Sequence, residues 1–322
     1  MVKPAVTTLP VIASEAKQSS NSNTFEDILD CRAAKSAARN DENNDNFPFK
    51  APKSFMERIN NNDPDDPLLL QILPQTCEVQ DVPGFVVDPL DEMHNSPISG
   101  LIHKYQDRIL LQVTDDCAIN CRFCFRRYMH NKITDWSAVF VYINNNPKVN
   151  EIILSGGDPL ILKHAKLIEI IQQLAKIPHI RRLRIHTRMP IIMPEYKLPL
   201  LTQTRLKIIV VVHCNHPSEI NTEVAKAINY LNTIGVTMLN QSVLLKNIND
   251  NADTLINLSE KLFSIGVLPY YLHMLDKVKG AAHFAVDIEV AKQIYVKMQE
   301  NLPGYLVPKL VIDTGKQKTF LM

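Results

Sequence analysis

Six short runs rich in Ile, Val and Leu recur along the chain, at residues 108–114, 151–155, 182–187, 206–213, 236–245 and 267–274. They are short and apolar, as strands buried on both faces tend to be. Helical patterns lie between them. Residues 163–176 put Leu167, Ile170, Ile171 and Leu174 on one face. Residues 218–234 start at Ser218 as N-cap and stop at Gly235, residues 252–265 stop at Gly266, and residues 287–301 close the series. Such alternation predicts a parallel sheet with right-handed crossovers. Six units make an incomplete β/α barrel, whose chemistry gathers where the strands end.

The polar residues fit that expectation. A cysteine-rich run follows the first strand, and Ser155-Gly156-Gly157-Asp158 ends the second. His186 and Arg188 end the third, and His213 and Asn215 the fourth. Asn240 and Gln241 lie in the fifth, and Asp276 follows the sixth. They collect at one rim of an otherwise apolar barrel.

Ahead of the barrel, residues 1–45 are rich in Ala, Ser and Asn and read as a disordered tail, with a short helix around residues 25–38. Residues 46–105 form a helical and irregular lead-in, where Asp66 caps a turn with Pro67 at its first position. The barrel proper spans residues 106–301, and residues 302–322 form a C-terminal segment.

A net charge of +1 gives no drive toward nucleic acid or an acidic membrane. Arg126-Arg127, and Arg181-Arg182 with Arg184, are local basic spots, either solvated or holding anions. No apolar run reaches the roughly 18 residues of a membrane helix, and residues 5–13 make a poor secretory core. The expected compartment is the cytoplasm.

Cys117, Cys121 and Cys124 stand in a C-x3-C-x2-C spacing, half of the chain's six cysteines. Iron–sulfur clusters normally take four cysteines. Three would hold three irons of a [4Fe–4S] cluster and leave the fourth open to a small molecule. Zinc prefers four ligands, often as two C-x2-C pairs. There is no second pair, although His130 is a candidate fourth ligand. Cys31, Cys77 and Cys214 read as ordinary small apolar residues. The three-cysteine signature resembles that of radical S-adenosylmethionine (SAM) enzymes, so the fold expected is a radical SAM incomplete (β/α)6 barrel.

Ser155-Gly156-Gly157-Asp158 alone fits a tight turn, with Asp158 as N-cap and Pro159 following. Beside the cysteines it reads as a SAM contact, since Gly-Gly backbone can approach a ligand without Cβ obstruction.

Longer motifs sharpen the resemblance: Tyr105-Gln106-Asp107-Arg108, the Cys-Arg-Phe-Cys-Phe-Arg-Arg run, Leu-Ser-Gly-Gly-Asp, Asn-Gln-Ser-Val-Leu-Leu from Asn240, and Pro-Tyr-Tyr-Leu-His from Pro269. Together they resemble the lysine 2,3-aminomutase family. Asp276, residues 277–284 and residues 304–310 resemble its short branch, the elongation factor P β-lysylation proteins. The chain lacks the longer enzymes' zinc-binding cysteines near the C-terminus, which leaves homo-oligomerisation open.

The resemblance implies SAM and pyridoxal 5′-phosphate (PLP) together. A 5′-deoxyadenosyl radical would take hydrogen from C3 of L-lysine, nitrogen would move from C2 to C3, and (R)-β-lysine would result. It implies cysteines 117, 121 and 124 as cluster ligands. Lys318 would anchor PLP, with Lys316 as competitor, and residues 302–322 become the PLP-anchoring segment. Tyr105 and Arg108 would contact PLP, Arg108 by its fork of donors. Arg126 would bind the α-carboxylate, and Asp276 and Asp313 the ε-ammonium. His213, Asn240 and Gln241 are further SAM or PLP candidates, each equally a satisfied polar group near the core. A flavodoxin- or ferredoxin-type electron donor, and a functional link to elongation factor P and its lysyl ligase, are implied as well. Three readings compete: a free-standing lysine or glutamate 2,3-aminomutase, a non-catalytic iron–sulfur or zinc protein, and a decayed enzyme.

Overall fold

The computed structural model describes residues 47–196 and 204–322. The expected tail over residues 1–45, its short helix and Cys31 lie outside the described residues. One nine-stranded sheet forms the frame, its strands adjacent in chain order. They are β1 Leu101–Tyr105, β2 Arg108–Thr114, β3 Glu151–Gly156, β4 Arg182–Thr187, β5 Lys207–His213, β6 Thr237–Val243, β7 Leu268–His273, β8 Lys309–Asp313 and β9 Lys318–Phe320. Strands β2 to β8 run parallel, while β1 and β9 pair antiparallel at the two edges. Six crossovers thus join the parallel strands in an open, incomplete barrel.

Among the described residues, five helices of nine or more residues cover the outside: α1 Trp136–Asn144, α2 His164–Ala175, α3 Thr222–Thr233, α4 Ala252–Ser264 and α5 Ile288–Asn301. The predicted stripe of α2 is buried as expected. Asn221, not Ser218, caps α3, accepting from the Val224 amide at 3.0 Å. Ser218 instead lies in a one-turn 3-10 helix, Pro217–Glu219, whose Glu219 carboxylate accepts from the His216 amide at 3.1 Å. That local bond ends the first turn before the longer helix begins. Gly235 and Gly266 do follow α3 and α4 in the left-handed region, at φ +83° and +80°. Among the described residues no helix is long and apolar enough to cross a membrane.

Period-two alternation sorts each strand's side chains. On β2, Ile109 and Leu111 are buried, while Arg108, Leu110 and Gln112 line the cavity inside the barrel. On β4, Leu183 and Ile185 are fully buried, and Arg184 and His186 line the cavity. The lumen is therefore not apolar, as the strand sequences suggested. Glu151 at the start of β3 accepts from Arg182 at 2.9 Å and from Arg184. Of the basic spot, Arg182 and Arg184 thus pair with Glu151, while Arg181 is exposed.

Both ends of the chain's described part complete the frame. Residues 101–105, from the lead-in, become edge strand β1, and the C-terminal segment supplies β8 and β9. The Tyr105 hydroxyl at the end of β1 accepts from the Lys318 amide on β9 at 2.9 Å. The two sheet edges are thus tied across the opening. Residues of the lead-in cross the same gap. Val86 bridges to Val278, and the Leu90 carbonyl accepts from Lys104 Nζ at 2.8 Å.

Candidate active site

A cavity of about 470 Å³ occupies the barrel's interior and rim. Its lining includes Cys117, Cys121, Cys124, Tyr105, Arg108, Arg126, Ser155, Gly156, Gly157, Asp158, His213, Gln241, Asp276, Asp313 and Lys318. These come from the end of β1, the start of β2 and the loop after it, from the ends of β3, β5, β6 and β8, from beyond β7, and from β9. Asn240 is the one expected site residue that the structure does not bring to the cavity. It is buried and braces the backbone of Cys214: its Oδ1 accepts from the amide at 3.0 Å, and its Nδ2 donates to the carbonyl at 3.1 Å.

The cysteine loop is held from below by the glycine pair. Gly156 has φ +115°, and a Cβ there would lie 2.4 Å from the Thr114 carbonyl oxygen. A Cβ on Gly157 would lie 2.1 Å from the Asp116 oxygen. The Gly157 amide donates to Thr114 at 2.6 Å, and the Asp158 amide to Asp116 at 2.8 Å. The space left by the missing Cβ atoms is filled by the chain that leads to Cys117. Both amides are engaged there, and the Ser155 hydroxyl accepts from Arg126 Nη1 at 2.9 Å. The Asp158 carboxylate is saturated by the Thr187 hydroxyl and the amides of Leu160, Arg188 and Met189. It caps the 3-10 turn Pro159–Ile161 and ties β3 to β4.

The thiols fit a multi-iron cluster by the chemistry of their donor set. Three irons take one thiolate each, so the sulfurs need not converge on a point. Among the described residues no His, Cys, Asp or Glu side chains gather tightly enough to chelate a single metal ion. His130 is exposed and off the cavity, which leaves the zinc reading without its fourth ligand. Burial pushes the Cys124 thiol up to about 11 and raises Cys117 and Cys121 as well. Metal binding would therefore release protons. Arg188 opposes the rise at Cys121, donating from Nη1 to its sulfur at 2.7 Å. Its Nη2 donates to Glu219 at 2.8 Å and to Gln71 at 2.6 Å, which fixes the cation.

Across the cavity, Lys318 projects from β9. Its Nζ stands 3.4 Å from His273 Nε2 and 4.3 Å from the centre of the Tyr271 ring. Burial lowers its amine to about 8, close to a nucleophilic free base at neutral pH. Lys316 is exposed and lines no part of the cavity. Arg108 stacks 3.7 Å over the Tyr105 ring. His186 is half-buried, with its Nε2 shielded from solvent and unpartnered, and it lines the cavity from β4. Burial first, then Asp313, raises the Asp276 carboxyl to about 7. Burial drops the His213 ring to about 4, so it is a neutral imidazole.

One residue in this wall escaped sequence reasoning. Glu92, from the irregular lead-in, chelates the Arg126 guanidinium with both oxygens at 2.8 Å. No periodicity marks its segment. The only local sign is Asp88 four residues earlier, whose carboxylate accepts from the Glu92 amide at 3.1 Å.

No family model matches the chain. Curated relatives do. The L-lysine 2,3-aminomutase of Buchnera aphidicola is 50% identical over 83% of this chain and 81% of its own length. That of Escherichia coli is 47% identical over 84% of this chain and 81% of its own. Among solved structures, Streptococcus suis SuiB bound to S-adenosylmethionine matches with a TM-score of 0.48 and 14% identity, over 64% of this chain and 50% of that one. On the identity and coverage of the two aminomutases, the chain belongs to the lysine 2,3-aminomutase family.

Proposed function

We propose that this protein is a radical SAM, PLP-dependent aminomutase that converts L-α-lysine to (R)-β-lysine. One observation carries the reading. A single cavity joins a three-thiol wall to a desolvated lysine, with Arg126, Asp276 and Asp313 among its lining. When bound, a [4Fe–4S] cluster with SAM supplies a carbon radical, and PLP a π-system through which nitrogen moves.

The chain's own residues bind and orient. Cys117, Cys121 and Cys124 hold the cluster. Ser155, the carbonyls of Gly156 and Gly157, Gln241 and neutral His213 line the space for SAM. Lys318 anchors PLP, with its amine already lowered toward the free base. Arg108 offers its fork to the phosphate, and Tyr105 fixes the Lys318 backbone. Arg126 takes the α-carboxylate. Asp276 and Asp313 take the ε-ammonium, and two carboxylates around one cation offset its desolvation. The same pair disfavours glutamate, whose distal carboxylate would meet like charge.

The likeness of residues 277–284 and 304–310 to the elongation factor P branch supports use of the product in modifying that factor. A flavodoxin- or ferredoxin-type donor and a cytoplasmic setting accompany this reading. The test is turnover by anaerobically reconstituted protein with lysine, SAM, PLP and reductant. The expected product is (R)-β-lysine by chiral chromatography. No β-lysine, or preferential turnover of glutamate, would overturn the reading. Borohydride trapping should place PLP on Lys318; a label on Lys316 would move the anchor.

A further inference from the structure

Arg126 and its partner Glu92 show more than a charge pair. A guanidinium carries five N–H bonds. Two go side-on to Glu92, from Nε to Oε2 and from Nη2 to Oε1, each at 2.8 Å. A third goes from Nη1 to the Ser155 hydroxyl at 2.9 Å. One N–H remains on each terminal nitrogen, at the end of the side chain that lines the cavity. That remainder suits one carboxylate.

Glu92 is itself held. Gln112 on β2 donates to its Oε2 at 3.0 Å, and Asp88 fixes the backbone through the amides of Glu92 and Met93, each at 3.1 Å. Its side chain is 5% exposed. A buried carboxylate so fastened, and reaching in from outside the barrel, does not serve as a loose counter-ion.

We propose that Glu92 is a positioning residue: it clamps Arg126 side-on, so that the terminal edge faces the α-carboxylate of the substrate and the site selects amino acids over simple diamines. The inference rests on the reading of Arg126 as the α-carboxylate ligand. A rival role is that of a placeholder, occupying the arginine until substrate displaces it. The two differ in sign. Losing a clamp weakens lysine binding; losing a placeholder tightens it.

The experiment uses PLP-loaded, cluster-reconstituted protein and its Glu92→Gln, Glu92→Ala, Arg126→Lys and Glu92→Ala/Arg126→Lys variants, with thermal melting to establish folding. Equilibrium binding is measured for L-lysine and for 1,5-diaminopentane, which lacks the carboxylate. Glu92→Ala should weaken L-lysine about tenfold and leave the diamine within about twofold, with Glu92→Gln between it and the wild type. The double variant should lose no more than Arg126→Lys alone, since residues acting as a unit are non-additive. Unchanged or tighter lysine binding by both Glu92 variants overturns the proposal. Equal loss of lysine and diamine also overturns it, since that is general damage to the pocket. If Arg126→Lys leaves the preference for lysine over the diamine intact, the reading of Arg126 fails instead. If Glu92→Ala does not fold, the Glu92→Gln result decides.

Discussion

Arg126 and Arg127 are neighbours in sequence and meet opposite fates. Arg127 turns into a closed cluster with Arg122 and Glu78. Glu78 accepts from Arg122 at 2.9 and 2.5 Å and from Arg127 at 2.7 Å, and both arginine side chains are 0% exposed. Phe47 lies beneath the two guanidinium groups, at 4.9 and 4.5 Å. Gly280 leaves room beside them; a Cβ there would stand 2.9 Å from Arg127 Nη1. Arg126 turns the other way, to Glu92 and the cavity. Both sites pair arginine with a buried glutamate, and Arg126 is the half-buried one. Only one keeps N–H groups pointing into empty volume. The Glu78 cluster closes the cysteine loop against the lead-in, whereas the Glu92 pair presents a charge. The contrast separates fastening from recognition: Arg127 even leaves Nε without a partner, but only Arg126 lines the cavity, so where the spare donors lie matters, not the strength of the pair.

The largest effect expected lies on the closed side. Burial alone would raise the Glu78 carboxyl, yet the hydrogen bonds and charges of Arg122 and Arg127 hold it below its usual range. Glu78→Ala leaves two buried cations without that carboxylate and should destabilise the protein by about 3–5 kcal/mol in denaturant titration. A loss under about 1 kcal/mol would show that the cluster fastens nothing.

Next comes a paired exchange. Arg126→Lys keeps a cation for Glu92 but loses the planar fork. It should weaken lysine about tenfold or more and shift stability by about 1 kcal/mol or less. Arg127→Lys should do the reverse: about 1–3 kcal/mol of stability lost and lysine affinity kept. If both variants change the same quantity, the division between the two sites is wrong.

The smallest effect is a pH dependence confined to the open side. The Asp276 carboxyl titrates at about 7 in the free site. Only its ionised form attracts the ε-ammonium, so lysine binding should weaken as pH falls below about 7, by up to about tenfold per unit. Above that pH this group adds no further change. Asp276→Asn should flatten the profile, and Glu78→Ala should leave its shape intact.

The frame was legible because periodicity and apolar runs record burial directly. All six expected strands form, within two residues at either end. Both edge strands and β8 were not read, because they are short and partly exposed and carry no long apolar run. The site was legible where spacing or family motif carried it: the cysteines, the glycine pair, Asp276 and Lys318 all line one cavity. Asn240 failed that expectation, since a buried amide and a ligand-binding amide look alike in sequence. The role of Gly156 and Gly157 was half legible. Their freedom from Cβ was visible, but what approaches them is the chain's own Thr114–Asp116 backbone. Glu92 was invisible, because a carboxylate in an irregular segment gives no sign of which arginine it will meet.

The central claim is that one cavity brings a SAM-derived radical to C3 of lysine. Lysine deuterated at C3, incubated anaerobically with the reconstituted protein, SAM, PLP and reductant, tests it most directly. The account predicts deuterium in 5′-deoxyadenosine by mass spectrometry, with labelled β-lysine beside it. SAM cleavage with no deuterium transferred, or no SAM cleavage at all, would contradict it.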